Sequence, residues 1–258
     1  MKSSIGIFGD SFADPNNEFG DTAWTRLLQL EKEDQSDIEI TCYSSSGTSQ
    51  WWSFEKFLEN YKSHDIIIFA HADSNRIPSI PKEWGGNHYR TPDLNASPIF
   101  SNDIEPKTAG REDYYIEHAI TTYWKNFYDP HLLEFLHQNV FDEVNLLCEK
   151  ENIKIVNLFA SDQVKNLSSS RGSCIYNLFD VSRRELQLIN PEAWTPVDIG
   201  FECDVRACHL TQENNNVLAS LISQCLLDYD DRDQTEAIDF SQFSEIVLDY
   251  DVSSRYFL

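Results

Sequence analysis

The residues best suited to do chemistry open the chain. Ile5-Gly6-Ile7-Phe8 is an apolar run of the kind that makes a buried strand, and it stops at Gly9-Asp10-Ser11-Phe12, a turn composition. In an open α/β sheet a serine at the C-terminal edge of a strand sits where ligands bind, and a preceding glycine lets backbone approach closely. Such a serine is a nucleophile in waiting, and a nucleophilic serine needs a neighbouring base. Of the seven histidines, His209 is the best placed, just before the last apolar-periodic segment. Three other features carry two readings each. Trp51 and Trp52 either stack on a sugar face or pack in the core of a helix, with core packing favoured by their spacing, and His71 is either a pocket residue or a satisfied buried histidine. Cys203 and Cys208 near His209 raise a zinc reading, disfavoured because no second pair with ligand spacing accompanies them.

These residues need a frame. Ser4 to Phe8, Ile38 to Tyr43, Asp65 to Ala70 and Ile153 to Phe159 are β-branched or apolar runs bounded by polar breaks, as buried parallel strands are. Between them Trp24/Leu27/Leu28 and Trp51/Phe54/Leu58/Tyr61 recur at helical spacing. The alternation predicts an α/β fold, a three-layer α/β/α sandwich with a mostly parallel sheet. Further helices are expected over Ile116 to Phe127, then from an Asp129-Pro130 cap through Leu133, Leu136, Val140, Val144 and Leu147. A last helix is expected through Val217, Leu218, Leu221, Ile222 and Cys225, with Thr211 as its N-cap. Residues 1–227 form the expected domain, with irregular insertions at about 78–110 and 180–202. Residues 228–258 form an acidic aromatic tail, either solvated or docked through its six aromatics on this domain or on a partner.

Gly9-Asp10-Ser11-Phe12 near the start, with a histidine at the head of the last helix, resembles the SGNH (GDSL-like) hydrolase superfamily. The resemblance follows the order of elements over residues 4–226 and rests on four short motifs. It implies Ser11 as nucleophile and His209 as base, and it places Gly47 of Ser45-Ser46-Gly47-Thr48-Ser49 as a backbone donor to the oxyanion. Two motifs depart from the family pattern. Where the family has Gly-x-Asn-Asp after the third strand, this chain has His71-Ala72-Asp73-Ser74-Asn75-Arg76, with Asp73 in the asparagine's place. A carboxylate facing a developing oxyanion opposes the reaction, whereas an amide N–H there is worth ~3 kcal/mol. Asn75 is therefore the favoured donor. Where the family has Asp-x-x-His, Arg206 stands three before His209 and the nearest acid is Asp204. Arginine has no acceptor to offer an imidazole, so either Asp204 orients His209 or the pair is a Ser-His dyad. Asp204-Val205-Arg206-Ala207-Cys208-His209-Leu210-Thr211 resembles a variant in SGNH-like proteins of tailed phages.

The resemblance implies a serine ester hydrolase that needs no metal or organic cofactor. The wide use of that superfamily on acetylated sugars, together with six tryptophans and an aromatic-bearing insertion, makes an O-acetylated carbohydrate the first-choice substrate among small esters, ahead of lipid or thioester. Arg206 and Asp73 also suit a rival reading, in which the fold is a catalytically weak or inactive binding or structural module in a virion or protein assembly. Composition bounds both. The net charge of −23 repels phosphate backbones and anionic lipid heads, which argues against nucleic acid or a membrane surface as partner. The longest apolar runs are far short of the roughly 20 residues that span a bilayer, and the N-terminal residues lack a secretory pattern. With six cysteines at neither CxxC spacing nor scaffold density, a cytoplasmic, reduced setting is expected, or virion association if the chain is phage-encoded. The 41% hydrophobic and 13% aromatic content is ample for a core.

Overall fold

In β1, Ser3–Gly9, Ile5 and Ile7 point to one side and Gly6 and Phe8 to the other, and all four are buried. A strand apolar on both faces belongs inside a parallel sheet covered by helices. In the computed structural model this is its place. The structure describes residues 3–16, 23–33, 38–45, 48–72, 76–77, 94–95, 126, 129–159, 173–178, 210, 212–227 and 243.

After β1 come α1 (Trp24–Glu33), β2 (Ile38–Ser44), α2 (Gln50–Asn60) with a 3₁₀ turn at Tyr61–Ser63, and β3 (Ile66–His71). A short antiparallel pair follows, β4 (Arg76–Ile77) with β5 (Leu94–Asn95). Then come α3 (Pro130–Lys150), β6 (Lys154–Phe159), β7 (Ser173–Asn177) and α4 (Gln212–Leu227). The main sheet has the order β2-β1-β3-β6-β7, and every neighbouring pair is parallel. After β2 the chain crosses β1 to place β3 on its other edge, so the order reverses about β1. Ligand sites of open α/β sheets lie outside the strand ends at such a reversal.

Two cores sandwich the sheet. On one face Ile5, Ile7, Ile66 and Ile68 pack with Trp24 and Leu28 of α1 and Leu218, Ile222 and Cys225 of α4. On the other, Phe8, Ile67, Phe69 and Ile155 pack with Phe54 and Phe57 of α2 and Val140, Val144 and Cys148 of α3. The expected three-layer α/β/α architecture is thus the observed one. Phe243 is buried in the first core, so at that residue the acidic segment packs on its own domain. The other residues of 228–258 lie outside the described ones, as do the helix expected over Ile116 to Phe127 (Asn126 excepted), residues 180–202 and Thr211.

Three expectations change. Trp51 and Leu58 were to share the buried face of α2, but they are 48% and 47% exposed, and Gln50, Ser53, Phe54 and Phe57 are buried instead. The buried face is turned by about one residue, because Gln50 finds internal partners and the Trp51 indole donates to Glu55 on the outer side (3.0 Å). In α3 Leu136 is exposed, and the buried stripe is His137, Val140, Phe141, Val144, Asn145 and Cys148. The Asp129 cap is as expected, its carboxylate accepting from the His131 and Leu132 N–H groups. β7 was not expected, since a five-residue edge strand with polar ends gives little periodic signal. Among the described residues no helix is long and apolar enough to cross a membrane.

At Gly9 an added Cβ would lie 2.9 Å from Ala70 Cβ and 3.0 Å from both Ala13 Cβ and Ala70 O. Two of these contacts are with the adjoining strand β3, which has no freedom to retreat. Gly9→Ala is expected to destabilise by about 1–3 kcal/mol, read as a lower urea midpoint at unchanged m-value; an unmoved midpoint would contradict it. At the opposite end of the sheet His64 covers Gly6, with Nε2 3.2 Å from the Tyr43 hydroxyl and Nδ1 without a partner. Burial holds its imidazole below the ordinary value, against the pull of Asp65 and Glu39. The unfolded chain takes up that proton as pH falls through about 6.5 while the fold does not, so stability is lost below that pH, down to the depressed folded value. The urea midpoint should drop between pH 7.5 and 5.5, and drop less in His64→Phe.

Candidate active site

β1 releases the chain at Gly9 into a tight turn. The Ala13 N–H donates to the Asp10 carbonyl (3.1 Å) and the Phe12 N–H to the Asp10 carboxylate (3.0 Å), so the aspartate closes the turn that carries Ser11. Beyond it, the Trp24 indole N–H donates to the Phe12 carbonyl (2.9 Å), and Phe12 and Ala13 enter the α1/α4 core. Ser11 is 2% exposed and is gripped from both sides in sequence. Among the described residues outside glycine only Asn152 has a positive φ, so the serine is presented without backbone strain.

The register brings two other strand ends to this level. Gly9 pairs with Ser44 of β2, and Phe8 pairs with Phe69 of β3. After β2 the Ser45 N–H donates back to the Gly9 carbonyl (3.3 Å), the Thr48 hydroxyl donates to the Ser45 carbonyl (2.6 Å), and Ser49 caps α2 by accepting from the Trp52 N–H. Gly47 lies between these anchors and outside the described residues. After β3 the described residues run to Ala72 and resume at Arg76, so Asp73 and Asn75 lie outside them. Asp204 and His209 do too. The residue after His209, Leu210, is buried in the same core as Phe12 and Ala13. Its carbonyl accepts from Asn215 Nδ2 (3.3 Å), and Asn215 Oδ1 accepts from the Trp24 N–H (2.9 Å), which ties the approach to α4 to the start of α1. Of the six sequence-derived site residues, Ser11 is the one the structure places.

One cysteine adjoins the serine's turn. Cys42 Sγ is 3.4 Å from both the Ala13 carbonyl and the Ser44 hydroxyl, and burial pushes its thiol up to about 11, so it stays protonated and is no rival nucleophile. Among the described residues Cys42, Cys148 and Cys225 are not in disulfides.

His71 proves to be a satisfied buried histidine. It is 3% exposed at the end of β3, stacked on Phe159 with ring centroids 4.3 Å apart. Its Nδ1 is 2.5 Å from Gln50 Nε2 and its Nε2 is 2.9 Å from Asn157 Oδ1. An amide nitrogen has only donors and an amide oxygen only acceptors, so the imidazole is neutral with its proton on Nε2. Burial, helped by His137 and opposed by the bond to Asn157, holds its pKa well below the ordinary histidine value. Gln50, His137, Asn145 and Asn157 join it in the interior, and motif reading gave no hint of them. Their one sequence signal was polarity in apolar settings: Asn157 interrupts Ile155-Val156-Asn157-Leu158-Phe159, and His137 and Asn145 fall on the helical period of Val140, Val144 and Cys148.

No family model matches this sequence, and no curated protein matches it. Solved structures do, at low identity. The chain is similar to the psychrotrophic esterase EstA from Pseudoalteromonas sp. (11% identity, 90% of this chain and 100% of that one, TM-score 0.45). It is similar to a GDSL-like lipase from Bacteroides thetaiotaomicron (12% identity, 88% of each chain, TM-score 0.43). It is likewise similar to the acetyl xylan esterase AlAXEase (11% identity, 86% of this chain and 99% of that one, TM-score 0.42).

Proposed function

We propose that this chain is a serine ester hydrolase of the SGNH type that removes O-acetyl or similar acyl groups from a carbohydrate. The observation that carries the reading is the position of Ser11, on a turn closed by Asp10 at the C-terminal end of β1, where the strand order reverses. Ser11 Oγ attacks the acyl carbonyl carbon, and His209 takes the hydroxyl proton and returns it to the leaving sugar oxygen. The N–H groups of Ser11 and Gly47 with the Asn75 amide receive the negative charge that develops on the carbonyl oxygen, each worth ~3 kcal/mol. Water, deprotonated by the same histidine, then attacks the acyl-serine and releases the acid. Asp204 holds the His209 ring, or the pair acts as a dyad. An ester that reaches a serine only 2% exposed has left bulk water, and there fixed dipoles act at full strength.

Trp51 supports the carbohydrate. It follows Gln50, whose side chain reaches the end of β3, and its ring is 48% exposed, braced by Glu55 and by Phe54 with centroids 5.8 Å apart. An exposed, braced indole near the strand ends suits the apolar face of a sugar ring.

Arg206 and Asp73 favour a second reading, a fold retained as a binding or structural module. An alkyl fluorophosphonate separates the two. It is expected to label the folded protein, to fail on Ser11→Ala, and to react at least about 100-fold more slowly with His209→Ala. A folded wild type that does not label favours the module. For the substrate, Trp51→Ala should raise KM for an acetylated oligosaccharide by about two- to tenfold, the equivalent of a 0.5–1.5 kcal/mol aromatic contact, while leaving KM for 4-nitrophenyl acetate unchanged. An equal effect on both esters would remove the sugar platform.

A further inference from the structure

Behind the strand ends runs a polar chain that the hydrolytic scheme does not use. Ala72 is gripped at both backbone groups by side chains from two helices: its N–H donates to Gln50 Oε1 of α2 (2.9 Å), and its carbonyl accepts from His137 Nε2 of α3 (2.8 Å). From Gln50 the bonds continue in one direction. Gln50 Nε2 donates to His71 Nδ1, His71 Nε2 to Asn157 Oδ1, Asn157 Nδ2 to Asn145 Oδ1 (3.1 Å), and Asn145 Nδ2 to the Phe141 carbonyl (2.7 Å). None of Gln50, His71, His137, Asn145 and Asn157 is more than 5% exposed. Reversing the Gln50 side-chain amide would set N–H against N–H at Ala72, so the orientations along the chain are fixed as a set. Bonds aligned this way polarise one another, and a half-broken chain would be worse than an apolar core.

The network ends at the Ala72 amide, three residues before Asn75. We propose that the Gln50–His71–Asn157–Asn145 relay is a positioning device. It fixes the peptide at Ala72 so that the segment carrying the oxyanion donor leaves β3 in register with the Ser11 turn. His137 holds the other side of the same residue. The inference rests on the hydrolase reading, and it assigns catalytic consequence to Gln50 and His71 without contact with substrate.

Gln50→Met keeps the side chain's length and removes both of its bonds. With a soluble ester, kcat should fall by about 10- to 100-fold, since misplacement on the scale of an ångström has that effect, while KM stays within about twofold. The Ala72 amide should exchange with deuterium faster than in wild type. Gln50→Glu, which can still accept from Ala72 and pair with a protonated His71 Nδ1, should recover part of kcat and alter the acid limb of the rate profile. If Gln50→Met does not fold, Asn145→Ser at the far end is the milder variant, expected to move kcat the same way by less. An unchanged kcat in a folded relay variant, or unchanged Ala72 exchange, overturns the positioning role and leaves the hydrolase reading standing. A wild type with neither turnover nor Ser11 labelling overturns the hydrolase reading itself.

Discussion

The approach of β1 to β3 at Gly9 and Ala70 sets the terms for everything at the C-terminal edge of this sheet. β1 has a parallel partner on each edge and a helical layer on each face, so its end is crowded in every direction but forward. Gly9 is the residue that lets the strand stay that close, with Ala70 and Ala13 against it where a Cβ would go. Because the strand cannot shift, the turn that follows is indexed to the sheet. The Asp10 carboxylate spends its acceptor on the Phe12 N–H, and the Trp24 indole secures the Phe12 carbonyl from the helical layer. Ser11 therefore inherits its position from rigid elements, which is what a site held to fractions of an ångström requires.

That part of the molecule was legible in the sequence because its signals are local. Apolar runs bounded by polar breaks mark β1, β2, β3 and β6, and a glycine before Asp-Ser marks the turn. What was not legible depends on partners far along the chain. Trp51/Phe54/Leu58/Tyr61 fits a helical face as well as Gln50/Phe54/Phe57/Tyr61 does, and apolarity prefers the first. The second is buried because Gln50 finds Ala72 and His71, 22 and 21 residues away. His71 was undecidable for the same reason, since a histidine ending an apolar strand is defined by Asn157, 86 residues on. Motif spacing located Ser11 but could not show the polar relay, whose members share no spacing rule.

The two readings of the chain differ in what they ask of that relay. A module that merely binds a partner gains nothing from five polar side chains buried at the end of β3, and hydrophobic residues of equal volume would hold the sheet and helices together as well or better. A site that must present an amide to a developing negative charge does gain, because hydrogen bonds fix direction where apolar packing fixes only distance. Ala72 is held in both respects, by Gln50 at its N–H and His137 at its carbonyl, while Ala72 itself is packed to 1% exposure. The departure at Asp73 takes on a different meaning in that light. If Asn75 is the donor, as proposed, it stands two residues further along the chain from β3 than the asparagine of the pattern that the sequence resembles, so more depends on the direction in which the chain leaves Ala72. On that proposal the relay would set the direction from the interior, through a neutral imidazole that burial keeps from charging.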